Sequence, residues 1–184
     1  MSRVLMICSS TDGQTLKICT RLRAKLEDAG YPSTLIDIAQ ADAVSPAVFD
    51  LVVVGARIRY GRTDRRVFDW GRRHAAALQD VEGAFFSVNI VARKAAKGTA
   101  ETNPYVRAFF ERVEWRPRRV EVFAGKLDYP RYGMLDRAMI RVIMWMTNGP
   151  TDPSAVVEFT DWRRVEAFGE QLVACLAEKA LVAG

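Results

Sequence analysis

Residues 51–54, Leu-Val-Val-Val behind Asp50, are apolar at every position, the pattern of a strand buried on both faces. Residues 4–8 and 84–88 read the same way, and residues 33–38 and 120–124 add two more strands. Between them the period changes. Leu16, Ile18, Cys19, Leu22 and Leu26 recur at helical spacing, with Gly30 as the stop. Residues 65–78 carry Val67, Trp70 and Leu78, and residues 105–113 form a further helix. Thr160-Asp161 caps a last helix that sets Val165, Phe168, Leu172 and Leu176 on one face. Buried strands that alternate with amphipathic helices require a parallel sheet covered on both faces. The expected fold is therefore α/β: five parallel strands in a single domain over residues 1–184, with no internal repeat or linker. One stretch breaks the rhythm. About thirty residues, roughly 126–155, separate the fifth strand from strand-like residues 156–159, where a handful would normally do, and they are too apolar for disorder.

Composition narrows the chemistry. A single histidine, His74, excludes a His-rich metal site, so no metal is expected, and on its helix His74 reads as a surface residue. Three cysteines without a Cys-x-x-Cys pair argue against a disulfide framework. Neither a signal peptide nor an apolar run of membrane-spanning length is evident, so a cytoplasmic setting is expected. Of 27 cationic residues 21 are arginines, and the net charge is +5. That balance suits nucleic acid, an anionic membrane or an acidic substrate. No recognition helix or RNA-binding motif is present, so no nucleic-acid partner is expected.

In an open parallel sheet, ligands sit at the carboxyl ends of the strands. The first such loop, Ser9-Ser10-Thr11-Asp12-Gly13-Gln14-Thr15, offers hydroxyls, a glycine and the open N–H groups of a helix start. A capped strand-to-helix turn would look similar. The next loops are Gly55-Ala56-Arg57-Ile58-Arg59-Tyr60-Gly61 and Ser87-Val88-Asn89-Ile90-Val91-Ala92-Arg93-Lys94. They supply Tyr60, aliphatic side chains and backbone groups for a flat polar-edged ring. One phosphate loop and two ring loops are what FMN needs.

Ser10-Thr11-Asp12-Gly13-Gln14-Thr15 resembles the flavodoxin phosphate loop, except that Asp12 stands where a hydroxyl is usual. A carboxylate there would repel phosphate unless it turned away to cap the helix. Asp12–Thr15 and the two ring loops are followed by Trp115-Arg116-Pro117, Tyr129-Pro130-Arg131-Tyr132 and Thr160-Asp161-Trp162. In that order these motifs resemble the bacterial menaquinone-dependent protoporphyrinogen IX dehydrogenase family, long-chain relatives of flavodoxin. The resemblance runs from Val4 to about Leu172 and includes Asp12. It implies a flavodoxin-like fold whose long insertion interrupts the fifth strand. It also implies FMN, protoporphyrinogen IX as reductant and menaquinone or ubiquinone as acceptor, in heme biosynthesis. The FMN site it implies comprises Ser9, Ser10, Thr11, Asp12, Gly13, Gln14, Thr15, Ala56, Arg57, Ile58, Tyr60, Gly61, Ser87, Val88, Asn89, Ile90, Val91 and Ala92. No catalytic base is identifiable.

Arg57, Arg59 and Arg62 could fork the propionates of a tetrapyrrole, whereas Arg65, Arg66, Arg72 and Arg73 read as a solvated basic face. Residues 132–146 have helical character, with Gly133, Asp136, Arg137 and Arg141 as one narrow polar stripe. Such a wide apolar face needs a cover: the core, a second subunit, or lipid at the inner face of the cell membrane, the last being the expected one. Ile140, Ile143 and Met144 are the positions expected to make that contact. Two other functions share the fold: a flavodoxin-type electron carrier and an NAD(P)H:quinone oxidoreductase. Carriers tend to be acidic, and no nicotinamide motif is found.

Overall fold

The computed structural model describes residues 2–182. Its elements, in chain order, are β1 (Val4–Ser9), α1 (Gln14–Asp28), β2 (Ser33–Asp37), β3 (Leu51–Arg59), β4 (Arg62–Thr63), α2 (Arg65–Arg73), α3 (Ala75–Gln79) and β5 (Glu82–Asn89). There follow α4 (Pro104–Phe110), β6 (Arg119–Ala124), β7 (Lys126–Asp128), α5 (Met134–Met146), β8 (Val156–Glu158) and α6 (Trp162–Val182). The main sheet has the parallel order β2-β1-β3-β5-β6, so the five strands read from sequence form the flavodoxin-like sheet.

Alternate residues of each strand build two cores, because successive side chains point to opposite faces. Leu5, Ile7, Val52, Val54 and Phe85 pack with Trp70 and Phe109 from α2 and α4. Val4, Met6, Val53 and Phe86 pack with Ile18, Leu22, Phe168 and Leu172 from α1 and α6. All six residues of β1 are buried, as expected of a central parallel strand.

Four details differ from the sequence reading. The strand after Asp50 runs to Arg59, turns through Tyr60-Gly61 and pairs back through β4, so the second loop is a β-hairpin. Tyr60 (φ 52°) and Gly61 (φ 72°) both have positive φ, as a two-residue type I′ turn requires. The helix expected over 65–78 divides at His74, whose ring packs on Trp70 at 5.0 Å and lies 3.5 Å from Asp42. Strand β2 stops at Asp37 because that side chain accepts the Ala39 N–H at 2.8 Å and turns the chain. Residues Val156–Glu158 pair antiparallel with Lys126–Asp128 in a separate ribbon instead of rejoining the sheet.

Helix α5 rests on that ribbon. Leu127, Tyr129, Tyr132 and Met144 form a small third core, with Ile140 and Ile143 packed against it. The inner face of α5 is thus Ile140, Ile143 and Met144, while Met134, Leu135, Met139, Val142, Trp145 and Met146 are exposed. This reverses the expected orientation. Both faces are apolar, so spacing could not tell which one the ribbon would cover. Among the described residues no helix is long and apolar enough to cross a membrane.

Candidate functional site

The carboxyl ends of β1, β3 and β5 open into a cleft that α5 walls on the far side, about 960 Å³ counted out to solvent. Fourteen of the residues expected from sequence border it: Ser10, Thr11, Asp12, Gln14, Thr15, Arg57, Ile58, Arg59, Tyr60, Gly61, Val88, Asn89, Ile90 and Val91. Five others stand behind that wall. Ser9 is buried and donates its hydroxyl to Asp64 at 2.8 Å. Ala56 lies inside the sheet. Ser87 accepts from the Asn89 amide at 3.1 Å, and Ala92 gives its N–H to the Asn89 carboxamide at 3.0 Å. Gly13 faces the neighbouring groove between α1 and α6. Arg62, one of three arginines expected at the substrate, is exposed on β4 and outside the cleft lining.

The phosphate end is built from backbone. Gly13 begins α1 at φ 89° and supplies no side-chain cap, and no acidic residue stands in the first turn. Ser10 Oγ accepts the Leu16 N–H at 3.4 Å, and the other leading N–H groups of α1 lie at the positive end of the helix dipole. The Ser10, Thr11 and Thr15 side chains surround them. Asp12 does not cap the helix. It turns to Arg59 instead, at 3.4 Å, which neutralises the carboxylate the phosphate would have met. Gln14 reaches across the molecule to Glu158 (3.0 Å) and Thr160 (2.9 Å), and Thr160 donates to the Ala124 carbonyl at 2.7 Å. The Thr160-Asp161-Trp162 motif thus braces the loop, while Asp161 caps α6 through the Arg163 N–H.

The ring end is apolar, with Ile58, Val88, Ile90, Val91 and Leu127 beside Tyr60 and Tyr132. Arg57 borders it with a buried Nε that has no hydrogen-bond partner, while its Nη2 lies 3.4 Å from Asp64. The hydroxyls of Ser10, Thr11 and Thr15, the α1 start and the aliphatic walls together fit a flavin mononucleotide.

Asp64 anchors the arrangement. Burial pushes its carboxyl up, but hydrogen bonds from the Arg66 side chain, the Ser9 hydroxyl and the Arg66 N–H outweigh that and hold it at about 2. A folded value below the ordinary 3.8 means stability that is complete above that figure and lost as pH falls through about 2. The contribution is about 2 kcal/mol. Urea melts between pH 6 and 2 should show Asp64→Asn less stable than the parent at neutral pH, with the gap closing in acid. A constant gap would mean the carboxylate charge is not what matters.

The sequence reading had assigned no role here to Tyr105, Gly125, Lys126, Leu127, Tyr132, Ile140, Ile143, Met144 and Thr147, which also line the cleft. The Tyr129–Tyr132 motif was the signal that could have found Tyr132. The α5 residues were visible only as one of two apolar faces.

Comparison with known proteins gives the family. Residues 5–154 match the flavodoxin domain family. The chain is 39% identical over 170 residues to the protoporphyrinogen IX dehydrogenase (quinone) of Escherichia coli strain K12, covering 92% of this chain and 94% of that one. It is 38% identical over 173 residues to the protein of the same name from Leishmania major, covering 94% and 75%. Among solved structures, oxidised flavodoxin 2 from Bacillus cereus superimposes with a TM-score of 0.51 at 15% identity, covering 97% and 99% of the two chains.

Proposed function

Because the chain belongs to the flavodoxin domain family and, within it, with the quinone-dependent protoporphyrinogen IX dehydrogenases, we propose that it oxidises protoporphyrinogen IX to protoporphyrin IX and passes the electrons to a quinone. The observation that carries this reading is the cleft of β1, β3 and β5 closed by α5, a wall that the sheet alone would lack. FMN, when bound, supplies the two-electron redox chemistry. The α1 start with Ser10, Thr11 and Thr15 holds its phosphate, and the Tyr60 hairpin with residues 88–91 holds its ring. Arg57 borders the cofactor and Arg59 meets the substrate. Ile140, Ile143 and Met144 exclude water and give an apolar macrocycle a surface to lie on.

The outer face of α5 lies in the membrane interface. Six exposed large apolar residues on thirteen positions form a lipid-facing surface without an acidic side chain, and Arg131 and Arg141 stand exposed at its margins. The helix spans about 20 Å, so it lies in the membrane surface and does not cross it. It is then the partition between cleft and lipid, the place from which a lipid-soluble quinone would enter.

The experiment is direct. FMN-loaded protein and menaquinone in detergent are mixed with protoporphyrinogen, and porphyrin fluorescence is followed against the autoxidation rate. Acceleration that requires all three components is the expected result. A flavin-loaded protein that leaves the rate unchanged overturns the assignment.

A further inference from the structure

Arg59 is held from two sides by residues far away in sequence. Its Nη2 meets Asp136 of α5 at 2.7 Å and its Nη1 meets Asp12 of the phosphate loop at 3.4 Å, while its guanidinium lies 5.1 Å from the Tyr60 ring. Arg59, Asp12 and Tyr60 line the cleft, and Arg59 is 24% exposed. The Arg59 guanidinium faces two carboxylates, so a substrate propionate can take its fork only if one of them moves. Asp12 is tied to a braced loop. Asp136 sits in the first turn of α5, where Gly133 provides no side-chain cap and Met134 and Leu135 are 87% and 86% exposed. The residues that pin α5 down, Ile140, Ile143 and Met144, lie one to two turns later. Besides the pair with Arg59, the first turn is held by Arg137, which donates to the Tyr132 carbonyl at 3.3 Å.

We propose that Asp136 is an internal stand-in for a substrate carboxylate: it occupies the Arg59 fork in the free protein and yields it to a propionate as the macrocycle seats. Exchange of one carboxylate for another keeps the guanidinium paired throughout, so entry costs no buried unpaired charge. A neutral ring of the same shape gains nothing from Arg59 and does not displace Asp136. The inference rests on the tetrapyrrole reading above, and it makes Arg59 and Asp136 the residues that select for acid side chains.

Protoporphyrin IX and its dimethyl ester separate the two ideas, because they differ only in the carboxylates. Binding of each to FMN-loaded protein in detergent is followed by fluorescence. Asp136→Asn is expected to tighten the free acid about three- to tenfold and leave the ester unchanged. Arg59→Ala is expected to weaken the free acid at least tenfold, again sparing the ester, and to abolish the gain from Asp136→Asn in the double variant. The proposal is overturned if Asp136→Asn leaves the free acid unchanged or weakened, or if acid and ester move together, as a merely loosened helix would make them. If neither porphyrin binds the parent protein, the tetrapyrrole reading itself falls.

Discussion

Serine at Leu135, Val142 and Trp145 should strip the protein from anionic vesicles. These side chains are 86%, 56% and 74% exposed, and none lines the cleft. Each large apolar side chain moved from water to hydrocarbon contributes about 1.5–3 kcal/mol, so three together amount to roughly 5–8 kcal/mol, more than a thousandfold in partition. Arginines near the surface add about 1 kcal/mol each and are screened by salt, whereas the apolar term is not. Salt should therefore weaken vesicle binding of the parent without abolishing it. Flavin affinity should survive in the triple variant, and quinone reduction in vesicles should slow. Serine at Ile140, Ile143 and Met144 should behave in the opposite way, damaging the cleft while the protein stays on the membrane. Should the outer-face variant remain on vesicles and pass from dimer to monomer, the helix packs on a second copy and the lipid assignment fails.

Gly13→Val should cost most of the flavin affinity. The reason is backbone conformation more than space: φ is 89°, and a Cβ at this position would meet nothing within 4 Å. An L-residue with a branched Cβ resists that conformation, so the loop must rotate and the N–H groups of the α1 start no longer converge on one point. Strain of this kind is worth about 1–3 kcal/mol, roughly five- to a hundredfold in affinity. Titration of apo-protein with FMN, read by quenching of flavin fluorescence, measures it. Gly13→Ala should lie between parent and valine variant. A folded valine variant with undiminished affinity would remove this loop from the cofactor site.

The buried strands were legible because nothing else makes runs such as Leu51–Val54, and their alternation with Leu22/Leu26-type stripes left one architecture. Three things were not. The Arg57 and Arg59 positions looked like loop because polar side chains alternate with Ile58, yet that alternation is how a hairpin strand with one wet face is written. Helix α5 has two apolar faces, and only the β7–β8 ribbon decides which is covered. The partners of Arg59 lie 47 and 77 residues away, distances over which neither spacing nor period carries information. The cleft's front wall was therefore readable, while its rear wall and its ion pairs needed the fold.

The brace from Gln14 to Glu158 and Thr160 has a consequence for biogenesis. Residues 10–15 leave the ribosome some 145 residues before the residues that support them. At ordinary translation speeds of about 5–20 residues per second, that is a wait of roughly seven to thirty seconds. Until residues 158–160 emerge and α6 docks on α1, a nascent chain displays the loop without the brace that fixes its shape.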